Sequence, residues 1–417
     1  GGAAGPAVQP PIAPATNDPA FQVNGVAAWY VVETPISAGK DELAIEVVAP
    51  DDVDTVDVWI AGRAGVRLDH TDGVFSGTFS VADLEVGSHD LLLAADGSDT
   101  AFALLPVRRT QPYFINVTTD WDFSDPSDHA NGVQDMFHAE HPELVITHFA
   151  APYTFTDPEV TPARRAELAA WLIMNRDTYG DEIGLHIHPY CHFVESAGVT
   201  CITDQSTVYE TDDTGYTIKV SAYGETDFAT LLEHADDLFV ANGLGKPTTF
   251  RAGGWTASIE TLRALEATGY IADTSALNWA RLEEWQGIGT GELYRWNMEN
   301  WATIDDTSQP YYPNHDDILD DSVPRLTLLE VPDNGIMIDY VTIAEMEELF
   351  TANWDGATPL SRPVALMMGY HPSEQFSVQE WTRVDRFLDH VDARLASTGD
   401  GPCIYVTLNQ MPGAFPR

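Results

Sequence analysis

The sequence predicts two folded parts, an all-β immunoglobulin-like sandwich over residues 24–110 and an α/β domain with a parallel sheet over residues 111–417. Up to residue 110, apolar runs of about five to eight residues follow one another between turn-forming pairs such as Asp-Gly, which is typical of sandwich strands. After residue 111, short apolar runs alternate with segments of helical periodicity. Alternating strands and helices indicate either an open doubly wound sheet or a (β/α) barrel.

Residues 1–23 are rich in Ala, Pro and Gly and contain neither a basic start nor an apolar run. They therefore predict a flexible tether rather than a signal peptide. Such a tether is expected to follow a removed export or lipoprotein signal. An exported protein is expected, in the periplasm, at the cell surface or outside the cell, with the tether as an attachment to the envelope. No apolar stretch reaches the roughly 18 to 20 residues of a membrane helix.

The sandwich strands are expected in short runs of period two. In chain order these runs are WYVVET, LAIEVV, TVDVWIAG, VFSGTFSV, HDLLLAADG and AFALLPV. The sequence of this part shows neither a metal-ligand cluster nor a nucleophile setting. A role in spacing or docking is therefore expected, with carbohydrate binding as the alternative.

In the α/β domain, predicted strands and helices take turns. The strands are expected in YFINVTTDWDF, LVITHFAAP, EIGLHIHPY, PTTFRAGG, YIADTSA, LTLLEVP, VALMMGYHP and PCIYVTLNQ. The helices are expected in TPARRAELAAWLIMNRDTYG, TDFATLLEHADDLFVANGLG, SIETLRALEATGY, VTIAEMEELFTANW and SVQEWTRVDRFLDHVDARLAS. Polar residues follow several strands at their C-terminal ends, which favours the barrel because its active sites lie at that end. Residues 201–224 and 280–324 are expected to form loops over its mouth that set substrate choice.

The charge of the chain excludes several classes of protein. Asp and Glu number 65 against 20 Lys and Arg, so the formal net charge is −45. Nucleic-acid binders and peripheral membrane proteins need a basic face, which this composition does not provide. With 44% apolar residues the chain is too hydrophobic for an acidic disordered protein. Since salt screens self-repulsion, a saline habitat is one expectation and an ordinary acidic exported protein is the other.

The sequence has three cysteines. Cys191 and Cys201 are close enough in sequence to form one local disulfide in an exported protein, and Cys403 stands in an apolar run as a buried thiol. The alternative is three free thiols in a cytosolic protein.

Carboxylates and histidines follow two of the predicted strands. Asp120 and Asp122 are two apart, so on a strand both side chains leave the same face. His186 and His188 have the same spacing, and His192 follows after one more turn. Neutral imidazole is the commonest nitrogen ligand of zinc-like ions, so this cluster predicts a metal site.

Two further strand ends carry polar groups. Arg251 precedes Gly253 and Gly254, and an arginine there could hold a carboxylate while the glycines let a ligand approach the backbone. His371 follows an apolar strand and is a candidate proton donor.

These motifs, in this order, resemble those of the polysaccharide deacetylases, the NodB-like carbohydrate esterase family four, in the branch whose second motif reads His-x-His-Pro. The resemblance covers about residues 112–410 and includes Asp-x-Asp, Glu-Ile-Gly before the histidines, Arg-x-Gly-Gly-Trp, Asp-Thr-Ser and a late strand ending in His. It implies a distorted (β/α) barrel, one divalent metal ion of which Zn2+ is favoured, and removal of N- or O-acetyl groups from an acetylated polysaccharide. By position, it implies catalytic roles for Asp120 as the base, Arg251 as its orienting partner, Asp273 near the fourth motif and His371 as the acid.

The resemblance also implies that Asp122 and His186 are metal ligands. The commoner family pattern has adjacent aspartates and a second histidine four residues after the first. Here the aspartates are separated by one residue, and Tyr190 occupies that fourth position. The remaining ligand is His188 or His192, with His188 favoured by its strand spacing.

The resulting mechanism has Asp120 taking a proton from a metal-activated water and His371 giving a proton to the departing sugar amine or alcohol. Aromatic side chains near the motifs could stack on sugar rings, with core packing as the alternative for each. The candidates are Trp121, Tyr190, Trp255 and Trp279.

Two other functions stay open: a metal hydrolase of a small non-peptide amide, and a catalytically silent glycan-binding or scaffold protein on the same fold. The tether and the sandwich favour a glycan over a small amide. A buried charge cluster costs stability, so its retention argues against a silent protein. The sequence contains no Gly-x-Ser-x-Gly motif, so a serine esterase is not indicated.

Overall fold

The computed structural model describes residues 9–63, 65–372 and 378–417, which divide into two compact units. The first unit comprises the described residues up to Tyr113 with Gly356–Val364 and Val391–Ile404. The second unit comprises the described residues of Phe114–Asp355, Ala365–His390 and Tyr405–Arg417.

The first unit thus includes two segments that the sequence analysis assigned to the α/β domain. Backbone hydrogen bonds hold them within the unit: Gln111 N–H donates to the Leu360 carbonyl at 2.9 Å, and Trp29 N–H donates to the Gly399 carbonyl at 3.1 Å. Nothing in the local sequence indicates that these two segments return to the first unit. A single domain boundary at residue 110 therefore assigned them to the α/β domain.

Two sheets build the first unit. Its strands are β1 (Gln22–Asn24), β2 (Trp29–Val31), β3 (Glu42–Val48), β4 (Val56–Ile60), β5 (Val66–Arg67), β6 (Asp69–Thr71), β7 (Val74–Ser80), β8 (Gly87–Ala95) and β9 (Ala103–Thr110). They pair in the orders β1-β3-β7-β6 and β2-β9-β8-β4-β5.

Apolar side chains from both sheets form one core in this unit. In β3, buried and exposed residues alternate strictly, as expected for a strand with one face on a core. Leu43 and Ile45 of β3 join Val58, Leu91 and Val107 of the other sheet in this core. The predicted apolar runs coincide with β2, β3, β4, β7, β8 and β9, while the immunoglobulin-like assignment stays a prediction.

The predicted tether is described from residue 9 onward, and its first eight residues lie outside the described residues. Ile12 N–H donates to the Asp99 carbonyl at 2.8 Å, and the Asn17 side chain accepts from Leu104 N–H at 2.9 Å. From Ile12 onward the segment therefore lies along the first unit.

The second unit alternates strands and helices around one sheet. The strands of this sheet are β10 (Tyr113–Asp120), β11 (Ile146–Ala150), β12 (Glu182–Ile187), β13 (Thr249–Ala252), β14 (Ala272–Asp273), β15 (Leu329–Glu330), β16 (Val364–Tyr370) and β17 (Cys403–Tyr405). Of their residues, Tyr113, Val364, Cys403 and Ile404 belong to the first unit. The helices are α1 (Asp128–Glu140), α2 (Pro162–Tyr179), α3 (Cys191–Ser196), α4 (Glu225–Ala241), α5 (Ile259–Thr268), α6 (Glu292–Asn300), α7 (Ile343–Asn353), α8 (Val378–Asp392) and α9 (Met411–Ala414). Among the helices of the described residues, none is both long and apolar enough to cross a membrane.

The strand order is that of a (β/α) barrel that does not close. The order is β15-β14-β13-β12-β11-β10-β16, with β17 also paired to β10, and the ladders from β10 through β15 are parallel. Consecutive strands are neighbours and β16 returns beside β10, which excludes the doubly wound alternative. Among the described residues, β15 and β16 form no ladder, and Met337 and Gly369 make only an isolated bridge.

Local signals explain the ends of several helices. Thr161 caps α2 by accepting from Arg164 N–H, and Gly180 ends this helix in the left-handed region, as its sequence predicts. The helices α1, α3, α6 and α9 were not predicted, and α6 lies within residues 280–324, which were expected to form a loop. α1 contains Asn131 and Gly132, which are poor helix formers, and begins at the cap that Ser127 makes with Ala130 N–H.

The cysteines have the predicted pairing. Cys191 and Cys201 form a disulfide with their Cα atoms 5.1 Å apart, and Cys403 is a buried free thiol.

Candidate metal and acid–base site

The C-terminal ends of four strands converge on one cavity of about 400 Å³. Asp120 ends β10, His186 lies near the end of β12, Gly253 follows β13 and His371 follows β16, and all four line this cavity. The polar strand ends that the sequence singled out therefore meet in one place, because parallel strands present their carboxyl ends at the same edge.

Asp122, His186 and His188 form the candidate metal site. Asp122 Oδ1 lies 3.3 Å from His186 Nε2 and 3.4 Å from His188 Nε2. Both imidazoles are buried, and Asp122 is partly buried beside them. Two nitrogen ligands and one carboxylate match the ligand set of a zinc site that keeps open positions.

Backbone carbonyls orient both imidazoles. His186 Nδ1 donates to the Arg251 carbonyl at 2.9 Å, and His188 Nδ1 donates to the Tyr216 carbonyl at 2.8 Å. A carbonyl oxygen only accepts, so in a neutral imidazole the lone pair is left on Nε2, which faces Asp122. Metal-binding histidines typically have this second hydrogen bond, so these residues fit a divalent ion.

Arg251 holds Asp120 in place. Its Nη1 donates to Asp120 Oδ1 at 2.9 Å and to Thr118 Oγ1 at 2.8 Å, and its Nε donates to the Thr274 carbonyl at 3.2 Å. Its guanidinium lies 4.9 Å from the ring centroid of Phe149. The arginine is fully buried, so Asp120 is held in one orientation at the cavity wall.

A further buried carboxylate, Asp333, shares this arginine. Its Oδ2 lies 3.5 Å from Arg251 Nη2 and accepts from Trp255 Nε1 at 2.8 Å. Burial raises the pKa of Asp333, although Arg251 and Trp255 favour its charged form. Through the hydrogen bond from Trp255 Nε1, Asp333 orients Trp255, which lines the cavity.

His371 is held by Asp339. Its Nδ1 lies 2.5 Å from Asp339 Oδ2, and its Nε2 lies 3.8 Å from Asp122 Oδ1. Burial alone would lower the pKa of His371, but the carboxylates of Asp122 and Asp339 outweigh it and raise the pKa to about 10. The imidazole is therefore oriented with Nε2 toward the candidate metal site.

Asp273, predicted as catalytic, does not line the cavity. It is fully buried in β14 opposite Glu330 of β15 and accepts from Ser275 Oγ at 2.9 Å. Burial raises the pKa of Asp273 to about 6, and burial together with the neighbouring Asp273 raises that of Glu330 well above its usual value. The two carboxyl groups thus form a buried pair inside the sheet, in which Glu330 holds a proton more readily than Asp273.

His192 also lies outside the site. It is the second residue of α3, where its Nδ1 is 2.9 Å from Thr156 Oγ1 and its Nε2 is 3.9 Å from Asp157 Oδ2. The helix begins directly after the segment that carries His188, so it turns the His192 side chain away from Asp122. Of the two candidates for the third ligand, the structure brings only His188 to the site.

Of the four aromatic residues predicted to stack on sugar rings, only Trp255 lines the cavity. Trp121 is buried, because the pleat of the strand turns it to the face opposite Asp120 and Asp122. Tyr190 does not line the cavity, and its hydroxyl donates to the Asp122 carbonyl at 3.3 Å. Trp279 does not line it either, whereas Trp255 does.

Several cavity residues were not predicted from the sequence. The carboxylate Asp339 and the aromatic residues Phe123, Tyr216, Trp285 and Tyr340 all line it. Phe123 directly follows a predicted ligand, and this position is a signal that sequence reasoning could have used. In the structure its side chain is 51% exposed. Tyr216 lies in a loop, and the others lie in the 3-10 segments Trp279–Gly287 and Ile338–Tyr340, where no periodicity marks them.

No family model matches the chain, and no curated protein matches it. Solved structures to which the chain is similar include polysaccharide deacetylases and family 4 carbohydrate esterases. A candidate polysaccharide deacetylase from Mycobacterium smegmatis is 12% identical over 72% of this chain and 88% of that chain, with a TM-score of 0.40. A family 4 carbohydrate esterase from Streptomyces lividans, in complex with acetate, is 10% identical over 72% and 95%, with a TM-score of 0.36. A 4-alpha-glucanotransferase from Thermococcus litoralis is 12% identical over 73% and 40%, with a TM-score of 0.40.

Proposed function

We propose that this protein is a metal-dependent hydrolase that removes acetyl groups from an extracellular or cell-wall polysaccharide. The observation that carries the proposal is the presence, in one cavity, of three candidate metal ligands, an arginine-held aspartate and an aspartate-held histidine. A catalytically silent protein has no physical reason to keep so many buried charges together.

The proposed metal ion is Zn2+, held by Asp122, His186 and His188. When bound, such an ion supplies a Lewis acid that acidifies water and polarises an acetyl carbonyl. The Nδ1 hydrogen bonds of the two histidines keep their Nε2 atoms directed at the ion.

Asp120 is the proposed general base. Its position at the cavity wall lets it take a proton from a water molecule that attacks the acetyl carbon, while Arg251 holds it in place. His371 is the proposed general acid. Asp339 accepts from its Nδ1, so Nε2 is the atom that would pass a proton to the departing amine or alcohol of the sugar.

The form of the cavity supports a carbohydrate substrate. It is open to solvent, and Phe123 and Trp285 stand in its wall as partly exposed aromatic surfaces on which sugar rings stack. Export is proposed with this function, and the Cys191–Cys201 disulfide supports it because disulfides persist in oxidising compartments.

Elemental analysis and acetate release together test the proposal. The wild type and the variants Asp122→Asn and His371→Gln are assayed with acetylated chito-oligosaccharides and acetylated xylo-oligosaccharides. We expect about one metal ion per chain in the wild type and in His371→Gln, loss of the metal in Asp122→Asn, and loss of acetate release in both variants. His192→Gln is the matched control, since this histidine lies outside the site, and it should keep both properties. A wild type that binds metal but releases acetate from neither substrate would contradict the proposed reaction.

A further inference from the structure

We propose that Tyr216 is a positioning residue of the metal site, which fixes His188 and Asp122 in the arrangement that binds the ion. The inference rests on the proposed function only in that the site takes a divalent metal. It goes beyond that function because it proposes that a loop residue, and not only residues at the strand ends, positions the metal ligands.

Tyr216 contacts two of the three candidate ligands through different groups. Its backbone carbonyl accepts from His188 Nδ1 at 2.8 Å, and its hydroxyl donates to Asp122 Oδ2 at 3.0 Å. Its ring lies over that of His188, with 4.5 Å between the centroids. By contrast, His186 is oriented by the Arg251 carbonyl of the neighbouring strand β13. One imidazole is thus held by the sheet and the other by Tyr216.

The hydroxyl contact also decides which oxygen Asp122 presents. With Oδ2 accepting from Tyr216, Oδ1 is the oxygen that faces the two histidine Nε2 atoms. Asp122 therefore offers a single oxygen to an ion, which leaves positions for water and substrate.

The loop that carries Tyr216 is itself anchored close to His188. Asp212 accepts four hydrogen bonds, from the backbone N–H and the hydroxyl of both Thr214 and Thr217. Cys191 N–H donates to the Thr214 carbonyl at 2.8 Å.

Gly215 permits this close approach. Its φ is +83°, a region that favours glycine, and a Cβ there would collide with the Pro189 carbonyl oxygen. The start of the loop is tied to α3 by the Cys191–Cys201 disulfide. Tyr216 is thus held on both sides, which a positioning residue requires.

The decisive measurement is the affinity for Zn2+, determined by competition with a chromogenic chelator on the 417-residue chain after metal removal. Tyr216→Phe keeps the ring and removes only the hydroxyl. We expect its Kd for Zn2+ to rise by about 10- to 100-fold, the usual effect of losing a partner that orients a ligand. In the Co2+-substituted protein, its visible absorption bands should shift, because Asp122 is no longer held through Oδ2.

Tyr209→Phe is the matched control. Tyr209 lies on the same loop and is 58% exposed, so its removal should leave the Kd within about twofold. Asp212→Asn is a second variant that loosens the loop without changing any residue of the cavity, and it should also raise the Kd. Thermal unfolding of the metal-free variants shows that each is folded before the Kd is compared.

Equal Kd values and equal Co2+ spectra for the wild type, Tyr216→Phe and Asp212→Asn would overturn the inference. A wild type that binds no metal would overturn both the inference and the proposed function. A wild type that binds Zn2+ but releases no acetate would overturn only the proposed function, and the raised Kd of Tyr216→Phe would still support the positioning role.

Discussion

Asp339 and His371 form a close pair, with 2.5 Å between the carboxylate Oδ2 and the imidazole Nδ1. They are far apart in sequence, since Asp339 lies in the short turn Ile338–Tyr340 and His371 follows β16. A carboxylate in this position selects the tautomer in which Nδ1 carries a proton, and it leaves Nε2 to exchange a proton with the substrate. The pair therefore gives His371 the orientation that a general acid needs.

Asp339→Asn is expected to lower kcat by about 10²- to 10⁴-fold, the range that general acid–base catalysis contributes. Zn2+ affinity should change by less than about threefold, because Asp339 is not among the candidate ligands. Steady-state kinetics and chelator competition measure the two quantities. Asp316→Asn is the control, since it removes the carboxylate from an exposed Asp–His pair that contacts no cavity residue. Equal kcat values for Asp339→Asn and the control would refute the role of the pair.

Arg251→Lys is expected to lower kcat by about 10- to 100-fold although the positive charge is kept. A lysine lacks the planar fork that reaches Asp120, Thr118 and the Thr274 carbonyl together, and a small misplacement of a base costs this much. The free energy of unfolding should also fall by about 2 kcal/mol, because buried hydrogen bonds to charged groups are lost.

The control for this change is Arg281→Lys. Arg281 pairs with Asp306 through two hydrogen bonds but is partly exposed, so the loss in unfolding free energy should stay below about 1 kcal/mol. Urea unfolding and acetate release are measured on both variants. If Arg251→Lys released acetate as fast as Arg281→Lys, activity would not require Arg251 to position Asp120.

The candidate metal ligands could be predicted in part because their signal is local. Asp122, His186 and His188 lie on or directly after strands, and a spacing of two places side chains on one face. The parallel order of the strands then brings β10 and β12 to the same edge. Spacing therefore predicted the histidine cluster and the acidic pair, while the family resemblance singled out Asp122 as a metal ligand.

The supporting residues could not be predicted, because their partners depend on the tertiary fold. Asp339 and Tyr216 lie in a short turn and a loop, and nothing in the flanking sequence says which strand end each will meet. His192 and Asp273, in contrast, were predicted to be site residues, but the fold keeps both out of the site. Their motif positions suggested the site, but the start of α3 turns His192 away and the pairing of β14 with β15 buries Asp273 against Glu330.

Asp181 provides a test of stability that is separate from the cavity. Its buried carboxylate lies 2.9 Å from His138 Nε2 and 3.0 Å from His148 Nε2, and it accepts from Ile146 N–H at 2.8 Å. Asp181→Asn should lower the free energy of unfolding by about 3 kcal/mol, as for a broken buried pair. Asp316→Asn, which breaks an exposed pair, should change it by less than about 0.5 kcal/mol.

The pH dependence of this effect has a defined sign. Burial would raise the pKa of Asp181, but the hydrogen bonds from the two histidines outweigh it and lower the pKa. A lowered pKa stabilises the fold above the unfolded-state value of about 4, and that contribution is lost as the pH falls through the folded-state value. Urea unfolding at several pH values should therefore show the gap between wild type and Asp181→Asn shrinking below pH about 4. A gap that widened there would contradict the assignment.

The charge of the cavity predicts which glycans are accepted. Four carboxylates line it, those of Asp120, Asp122, Asp339 and Glu380, and the described lining residues include neither Lys nor Arg. These carboxylates exceed the combined charge of one divalent ion and a protonated His371, and the chain as a whole carries −45. Acetylated oligosaccharides that contain uronic acids should therefore have a kcat/KM at least about 10-fold below that of neutral ones of equal length. Salt shortens the Debye length to about 3 Å at 1 M, so raising the salt concentration should narrow this difference. The kcat/KM for acetate release is measured at low and high salt with a neutral and a uronic-acid-containing oligosaccharide of equal length. A higher kcat/KM for the anionic substrate would show that the charge of the cavity does not select the glycan.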